Sequence, residues 1–152
     1  MSKVLILLGS KSDEPVMQES CRYLDWFGIE NDMIVASAHR DPVKAADLSS
    51  TAQENGYSCI IGAAGMAAAL PGVIAAHSSL PVIGVPLEGG LPGGIDALYS
   101  IVQMPPGIPV GTVAVGKAGA RNAAVLAARI IALQDEAVAG KLEEFKGLGF
   151  KL

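Results

Sequence analysis

"KVLILLGSKSDEP", residues 3–15, is the stretch whose reading decides the fold. Residues 3–9 form a short, continuous apolar run, the pattern of a strand buried on both faces. Gly9 then turns the chain, Ser12 or Asp13 caps a helix, and Pro15 falls in its first turn. The same order recurs further on. "DMIVAS" (32–37), "SCIIGAA" (58–64), "PVIGVP" (81–86) and "VGTVAVG" (110–116) read as further strands. Helix-like stretches separate them at 14–27, 42–55, 67–77 and 94–103, and an Ala- and Leu-rich helix is expected over 117–134. "DEAVAGKLEEFKG" (135–147) reads as a charged, amphipathic C-terminal helical extension. Alternation of this kind predicts an α/β fold of three layers, an open parallel sheet with helices on both faces.

Composition narrows the function. The 152 residues suit one domain spanning 1–152, and with 51% apolar and 17% charged residues the chain is globular. No apolar run reaches the roughly eighteen residues of a membrane span, so no membrane partner is expected. The N-terminal run lacks a small-residue cleavage site and reads as a strand rather than a signal peptide. Cys21 and Cys59 are far apart, with no CxxC and no histidine at ligand spacing. They are expected to be buried free thiols in a reducing cytosol, with no metal site. A net charge of −4 argues against nucleic acid as a partner, and an anionic ligand would need local positive groups.

In an open parallel sheet the ligand crevice lies beyond the carboxyl ends of the strands. "GSKSD" (9–13), "SAHRDP" (37–42), "AAGMAAALPG" (63–72) and "PLEGGLPGG" (86–94) fall there. The first places Gly9, Ser10, Ser12 and Asp13 at a helix start whose free amides suit a phosphate. Asp13 would repel phosphate and is expected to accept from sugar hydroxyls. It is neither a Walker A loop nor GxGxxG. His39 can give or take a proton near neutral pH, and Arg40 can clamp a phosphate or carboxylate with its planar fork. His77, at the end of a helix, is assigned a structural role. The small residues after the third strand let backbone approach a ligand, and "EGGLPGG" (88–94) reads as a lid. The Gly- and Ala-rich start of the helix at 117 is expected to make a subunit contact. The charged tail, 135–152, reads by default as a solvated face.

These residues together resemble the PurE family of purine biosynthesis, whose members are also called the catalytic subunit of phosphoribosylaminoimidazole carboxylase. "GSKSD", "SAHR", "LPG" and "YSIVQMP", followed by "GIPVGTVA", "GKAGA" and "NAA", occur in order over nearly the whole chain. The resemblance implies a flavodoxin-like fold, a homo-octamer and no cofactor. It implies conversion of N5-carboxyaminoimidazole ribonucleotide to 4-carboxyaminoimidazole ribonucleotide, with carbon dioxide held between the two halves of the reaction. It further implies His39 as general acid/base, with Ser10, Asp13 and Arg40 on the nucleotide. Ser37, Gly9, Ser12, Gly65, Ala69 and Leu70 complete the implied substrate site. "SAHR" is similar to the mutase branch, whereas carboxylases that take free carbon dioxide have "SAHK".

Two segments depart from the family pattern. "GMAAALPG" (65–72) carries Ala69 where the family usually has a second histidine, and "EGGLPGG" has glycines and Glu88 where hydroxyl side chains are common. They keep two alternatives open. One is a carbon-dioxide-using or divergent (de)carboxylase acting on this or another nucleotide; the other is a non-catalytic nucleotide-binding domain.

Overall fold

In the computed structural model, which describes residues 2–152, the first apolar run forms β1 (Lys3–Leu8) and the capped segment after it forms α1 (Glu14–Trp26). A single 3-10 turn over Lys11–Asp13 joins them. The chain continues through β2 (Glu30–Val35), α2 (Pro42–Ser50), β3 (Tyr57–Gly65), α3 (Leu70–His77), β4 (Val82–Leu87) and α4 (Ile95–Val102). It ends with β5 (Gly111–Thr112), α5 (Lys117–Ile131) and α6 (Glu136–Gly147). All strand pairs are parallel, in the order β2-β1-β3-β4-β5. This is the flavodoxin-like order, and it puts the topological switch point between β1 and β3.

Successive side chains along a strand point to opposite faces, so each apolar run feeds two cores. Val4, Ile6 and Leu8 of β1 pack with Cys59 and Ile61 of β3 beneath α1, α5 and α6. Leu5 and Leu7 face the other way and join Ile60 under α2, α3 and α4. Unbroken apolar runs, rather than alternating ones, follow from that double burial.

On the first face α5 lies close because it offers almost no side-chain bulk: Gly119, Ala120, Ala123, Ala124, Ala127 and Ala128 are all buried. Ser20 in α1 donates from Oγ to the Ala120 carbonyl at 2.5 Å. At Gly119 a β-carbon would overlap the Ala114 carbonyl, so only glycine allows this approach. The small-residue face expected to meet another subunit is therefore used within the chain. The C-terminal extension differs from expectation in the same way. Val138 and Phe145 of α6 enter the core, and the Phe145 ring lies 5.4 Å from that of Phe27 and 5.9 Å from that of Tyr23. Edge-to-face aromatic packing, not solvation, holds this helix.

Two strands depart from the expected bounds. β2 starts at Glu30, ahead of its apolar part, because it pairs residue for residue with β1 from Lys3↔Glu30 to Leu8↔Val35. As an edge strand it tolerates polar residues: Asp32 accepts from Lys3 Nζ at 2.7 Å and from the Tyr57 hydroxyl at 2.5 Å. β5 shrinks to two residues of the seven expected. Beyond it, Val113 donates to the Gly84 carbonyl at 3.0 Å and Gly116 to the Pro86 carbonyl at 2.8 Å. The segment thus follows β4, but it bends at Gly116 (φ 74°) to start α5.

Candidate active site

The loops after β2, β1 and β3 stand side by side because those strands are neighbours in the sheet. At the switch point the Gly9 amide donates to the Ala63 carbonyl at 3.0 Å, and the Ala36 amide donates to the Leu8 carbonyl at 2.9 Å. These two bonds carry the sheet just past its regular end and set where each loop departs.

The β1 loop is a capping box. Ser10 Oγ accepts from the Ser12 amide at 3.3 Å, and Asp13 Oδ2 accepts from the Ser10 amide at 3.1 Å. The Ser10 and Ser12 hydroxyls are 2.9 Å apart. Ser10 therefore caps the 3-10 turn, while Asp13, one of the two expected caps, is the N-cap residue of α1 without a side-chain bond to that helix. Partial burial raises the Asp13 pKa above the ordinary carboxylate value, and the Ser10 amide opposes that rise.

In the β2 loop Ser37 Oγ accepts from the Arg40 amide at 3.1 Å, and the Ser37 carbonyl accepts from the Asp41 amide at 2.9 Å. This single turn leads into α2, capped by Asp41 with Pro42 behind it. The turn presents His39 and Arg40 outward, and both side chains are exposed. Arg40 makes no ion pair among the described residues, which leaves its fork available.

In the β3 loop Gly65 sits against Leu87 of the next strand, where a β-carbon would come within 3.2 Å of the Leu87 carbonyl oxygen. Met66 follows with φ 54°, a left-handed conformation uncommon for a side chain of its length, and stays exposed. Ala69 is the residue before α3 and offers no side-chain cap. Leu70, expected to touch substrate, has its side chain buried in the second core. Only its backbone amide, at the α3 N-terminus, can serve the crevice.

The loop after β4 reaches the same region. Gly93 and Gly94 are both left-handed, with φ 74° and 68°, a pair of conformations that asks for two glycines. Asp96 in the first turn of α4 accepts from the Leu91 amide at 3.2 Å, tying the loop down. Met66 and Asp96 were not singled out by sequence; Asp96 looks there like any acid in a helix's first turn. Glu88 is exposed.

Other reactive groups lie elsewhere. Cys59 is in the core, its thiol pushed up to about 12 by burial, and Cys21 is only half-buried; both are free. His77 ends α3, at the other end of the strands from the crevice. No cluster of three or more His, Cys, Asp or Glu residues suited to a metal occurs among the described residues. No helix among them is long and apolar enough to cross a membrane. A concavity of about 560 Å³, lined by Ser78, Ser79, Pro81, Gly107 and Gly111, opens near the start of β4, away from the crevice. It holds no group able to carry acid–base chemistry.

Fold and loops define a doubly wound α/β protein with a crevice at its switch point. The loops beside it carry hydroxyls, backbone amides, several carboxylates, one imidazole and one guanidinium. The chain belongs to the AIR carboxylase (AIRC) family, whose model matches residues 3–148. It is 53% identical over 144 residues to an N5-carboxyaminoimidazole ribonucleotide mutase of Vibrio vulnificus, covering 95% of this chain and 89% of that protein. The corresponding mutase of Escherichia coli is 48% identical over 145 residues, covering 95% and 86%. The crystal structure of Treponema denticola PurE superposes with a TM-score of 0.87 at 28% identity, covering 98% of this chain and 92% of that one.

Proposed function

We propose that this chain converts N5-carboxyaminoimidazole ribonucleotide to 4-carboxyaminoimidazole ribonucleotide, as a purine-biosynthetic mutase built from one domain over residues 1–152. The observation that carries this reading is the identity of 48–53%, over 95% of the chain, to relatives that bear the mutase name. The crevice chemistry agrees with it.

Ser10, Ser12 and the free amides of the first turn take the nucleotide's polar groups, and Asp13 accepts from the sugar hydroxyls. Arg40 clamps an anionic group, phosphate or carboxylate. His39 in its protonated form gives its proton to the carbamate nitrogen as the N–C bond breaks. The products of that half are aminoimidazole ribonucleotide and carbon dioxide. Ring carbon 4 then attacks the trapped carbon dioxide, and the proton displaced from that carbon returns to His39. Proton and carboxyl group are both conserved over the cycle, so the steps balance with His39 alone as proton carrier. The backbone of Gly65, Ala69 and Leu70 and the glycine loop 88–94 enclose the small molecule.

The crevice is open on this chain, and His39, Arg40 and several large apolar residues near it are exposed. Val43 retains 70% of its surface, Met66 60% and Tyr99 60%. That uncovered apolar surface supports self-association in which neighbouring subunits close the site, and the family resemblance supplies the count of eight. The reducing compartment that two free thiols suit supports a cytoplasmic location.

The test supplies N5-carboxyaminoimidazole ribonucleotide alone, and separately aminoimidazole ribonucleotide with bicarbonate, and follows the 4-carboxy product. Conversion of the first substrate without added bicarbonate is expected. Product from the second mixture only would assign the chain to carbon-dioxide-dependent carboxylation, the reading that Ala69 and the glycine loop favour. Nucleotide binding with no product from either would leave a binding domain. His39→Asn is expected to retain nucleotide affinity while turnover falls by roughly two to four orders of magnitude.

A further inference from the structure

Gly90 and Leu91 stand over the first turn of α4, and both meet one side chain there. Leu91 donates its amide to Asp96 Oδ2 at 3.2 Å. A β-carbon added at Gly90 would overlap that same oxygen and would come within 3.2 Å of Met66 Cγ. Asp96 Oδ1 is buried and has no hydrogen-bond partner among the described residues. The carboxylate is thus shielded by the loop it holds. Through Gly90 the loop also approaches Met66, the residue just after β3, whose backbone is left-handed. Loop 88–94 and segment 65–70, the two walls assigned above to the carbon dioxide pocket, therefore meet at Gly90 and Met66 as well as at Glu88 and Gly65, and Asp96 fixes the first of these contacts.

We propose that Asp96 is a positioning residue that latches the glycine loop against Met66 and so confines carbon dioxide between the two halves of the reaction. This rests on the mutase reading. Asp96 need not touch substrate. Its carboxylate fixes where the Leu91 amide sits, and Gly90 is glycine because the latch leaves no room for a β-carbon. When the loop lifts, carbon dioxide diffuses away before carbon 4 attacks. The reaction then stops at aminoimidazole ribonucleotide, with the carbamate N–C bond broken, the nitrogen protonated and no new C–C bond formed.

Two readouts on the full-length protein test this. Hydrogen–deuterium exchange reports the loop directly and requires no turnover. Asp96→Ala is expected to speed exchange at residues 88–91 on the order of tenfold, through loss of a hydrogen bond to a charged acceptor. Asp96→Asn keeps an acceptor for the Leu91 amide and is expected to restore most of the protection. Product partition reports confinement. Asp96→Ala should release a several-fold larger share of aminoimidazole ribonucleotide per carbamate consumed, with kcat for the 4-carboxy product lowered and KM little changed. Gly90→Ala should imitate Asp96→Ala in the parent but add less in the Asp96→Ala background, where the overlap with the carboxylate is gone and only the approach to the flexible Met66 side chain remains.

Unchanged exchange in Asp96→Ala would overturn the latch. Faster exchange with unchanged partition would overturn its confining role. Failure of the parent protein to form product would sink the mutase reading, whereas the exchange data would still decide the latch.

Discussion

Asp13 holds two roles in one carboxylate, and replacing it separates them. Its Oδ2 closes the capping box by accepting from the Ser10 amide at 3.1 Å, and in the proposed complex it also accepts from sugar hydroxyls. Asp13→Ala removes both functions. Loss of such a cap costs about 1 kcal/mol, which in a chain of this size lowers Tm by about 3 °C. Asp13→Asn keeps an oxygen for the Ser10 amide, so Tm at neutral pH is expected to stay within about 1 °C of the parent. What Asn lacks is charge. Hydrogen bonds to a charged group exceed neutral ones by about 1–1.5 kcal/mol, so affinity for aminoimidazole ribonucleotide should fall about tenfold.

The pH dependence checks the same side chain independently. Burial raises the Asp13 pKa, so the folded chain holds that proton more tightly than the unfolded chain does. Asp13 therefore favours folding most below its unfolded value near pH 4, and that contribution fades as pH rises through the folded value. Asn does not titrate. The Tm of Asp13→Asn relative to the parent should thus climb across that window. Calorimetry for binding and thermal melts from acid to neutral pH give both numbers. Undiminished nucleotide affinity in Asp13→Asn, or affinity lost only in step with Tm, would refute the division of roles.

Other expectations concern the scaffold and the anion clamp. At Gly62 a β-carbon would lie 2.8 Å from Ile74 Cδ1 and 3.3 Å from Pro71, so Gly62→Ala should destabilise by about 1–3 kcal/mol in denaturant titration. Ile74→Val removes that methyl group, and the double variant should lose less than the sum of the two; strict additivity would contradict the packing account. Glu19 joins α1 to α5 by accepting from Arg121 Nε at 2.7 Å and from Arg22 at 2.9 Å, and these bonds lower its pKa to about 2. A lowered value means stability present above the unfolded value of 4.5 and lost as pH falls toward about 2. Because Arg22 is exposed and Arg121 only half-buried, Glu19→Gln should remove no more than about 1 kcal/mol of that acid sensitivity, and an unchanged acid slope would dismiss these bonds. Arg40→Lys should weaken nucleotide binding, since an ammonium cannot replace the bidentate fork; equal affinity would take Arg40 out of the anion site.

Much of this protein was written locally. A run such as "KVLILL" can only be a strand with helices on both sides, and "GSKSD" carries its own turn and cap, so strand–helix order needed no tertiary information. That order, with the rule that ligands bind beyond the strand ends, was enough to place Ser10, Asp13, His39 and Arg40 just past the ends of two neighbouring strands. Other features depend on residues far apart in the chain. Leu70 follows the third strand like a ligand contact, yet its side chain completes the second core against Ile60 and Ile74. The charged face of α6 hides Val138 and Phe145, and the Phe145 ring meets Tyr23 and Trp26 of α1, more than a hundred residues earlier. β5 was overestimated because its apolar residues are those of a strand, while the regular ladder covers only Gly111 and Thr112 and the chain then bends at Gly116. The link between Gly90, Met66 and Asp96 had no signature either, since each looks ordinary among its own neighbours. Hydrophobic period and turn chemistry act within a few residues, so the sequence alone determined the elements and the candidate chemistry. Side-chain overlap and hydrogen bonding act across the fold, so only the tertiary structure decided which residues are core, which are site, and which hold the site's walls together.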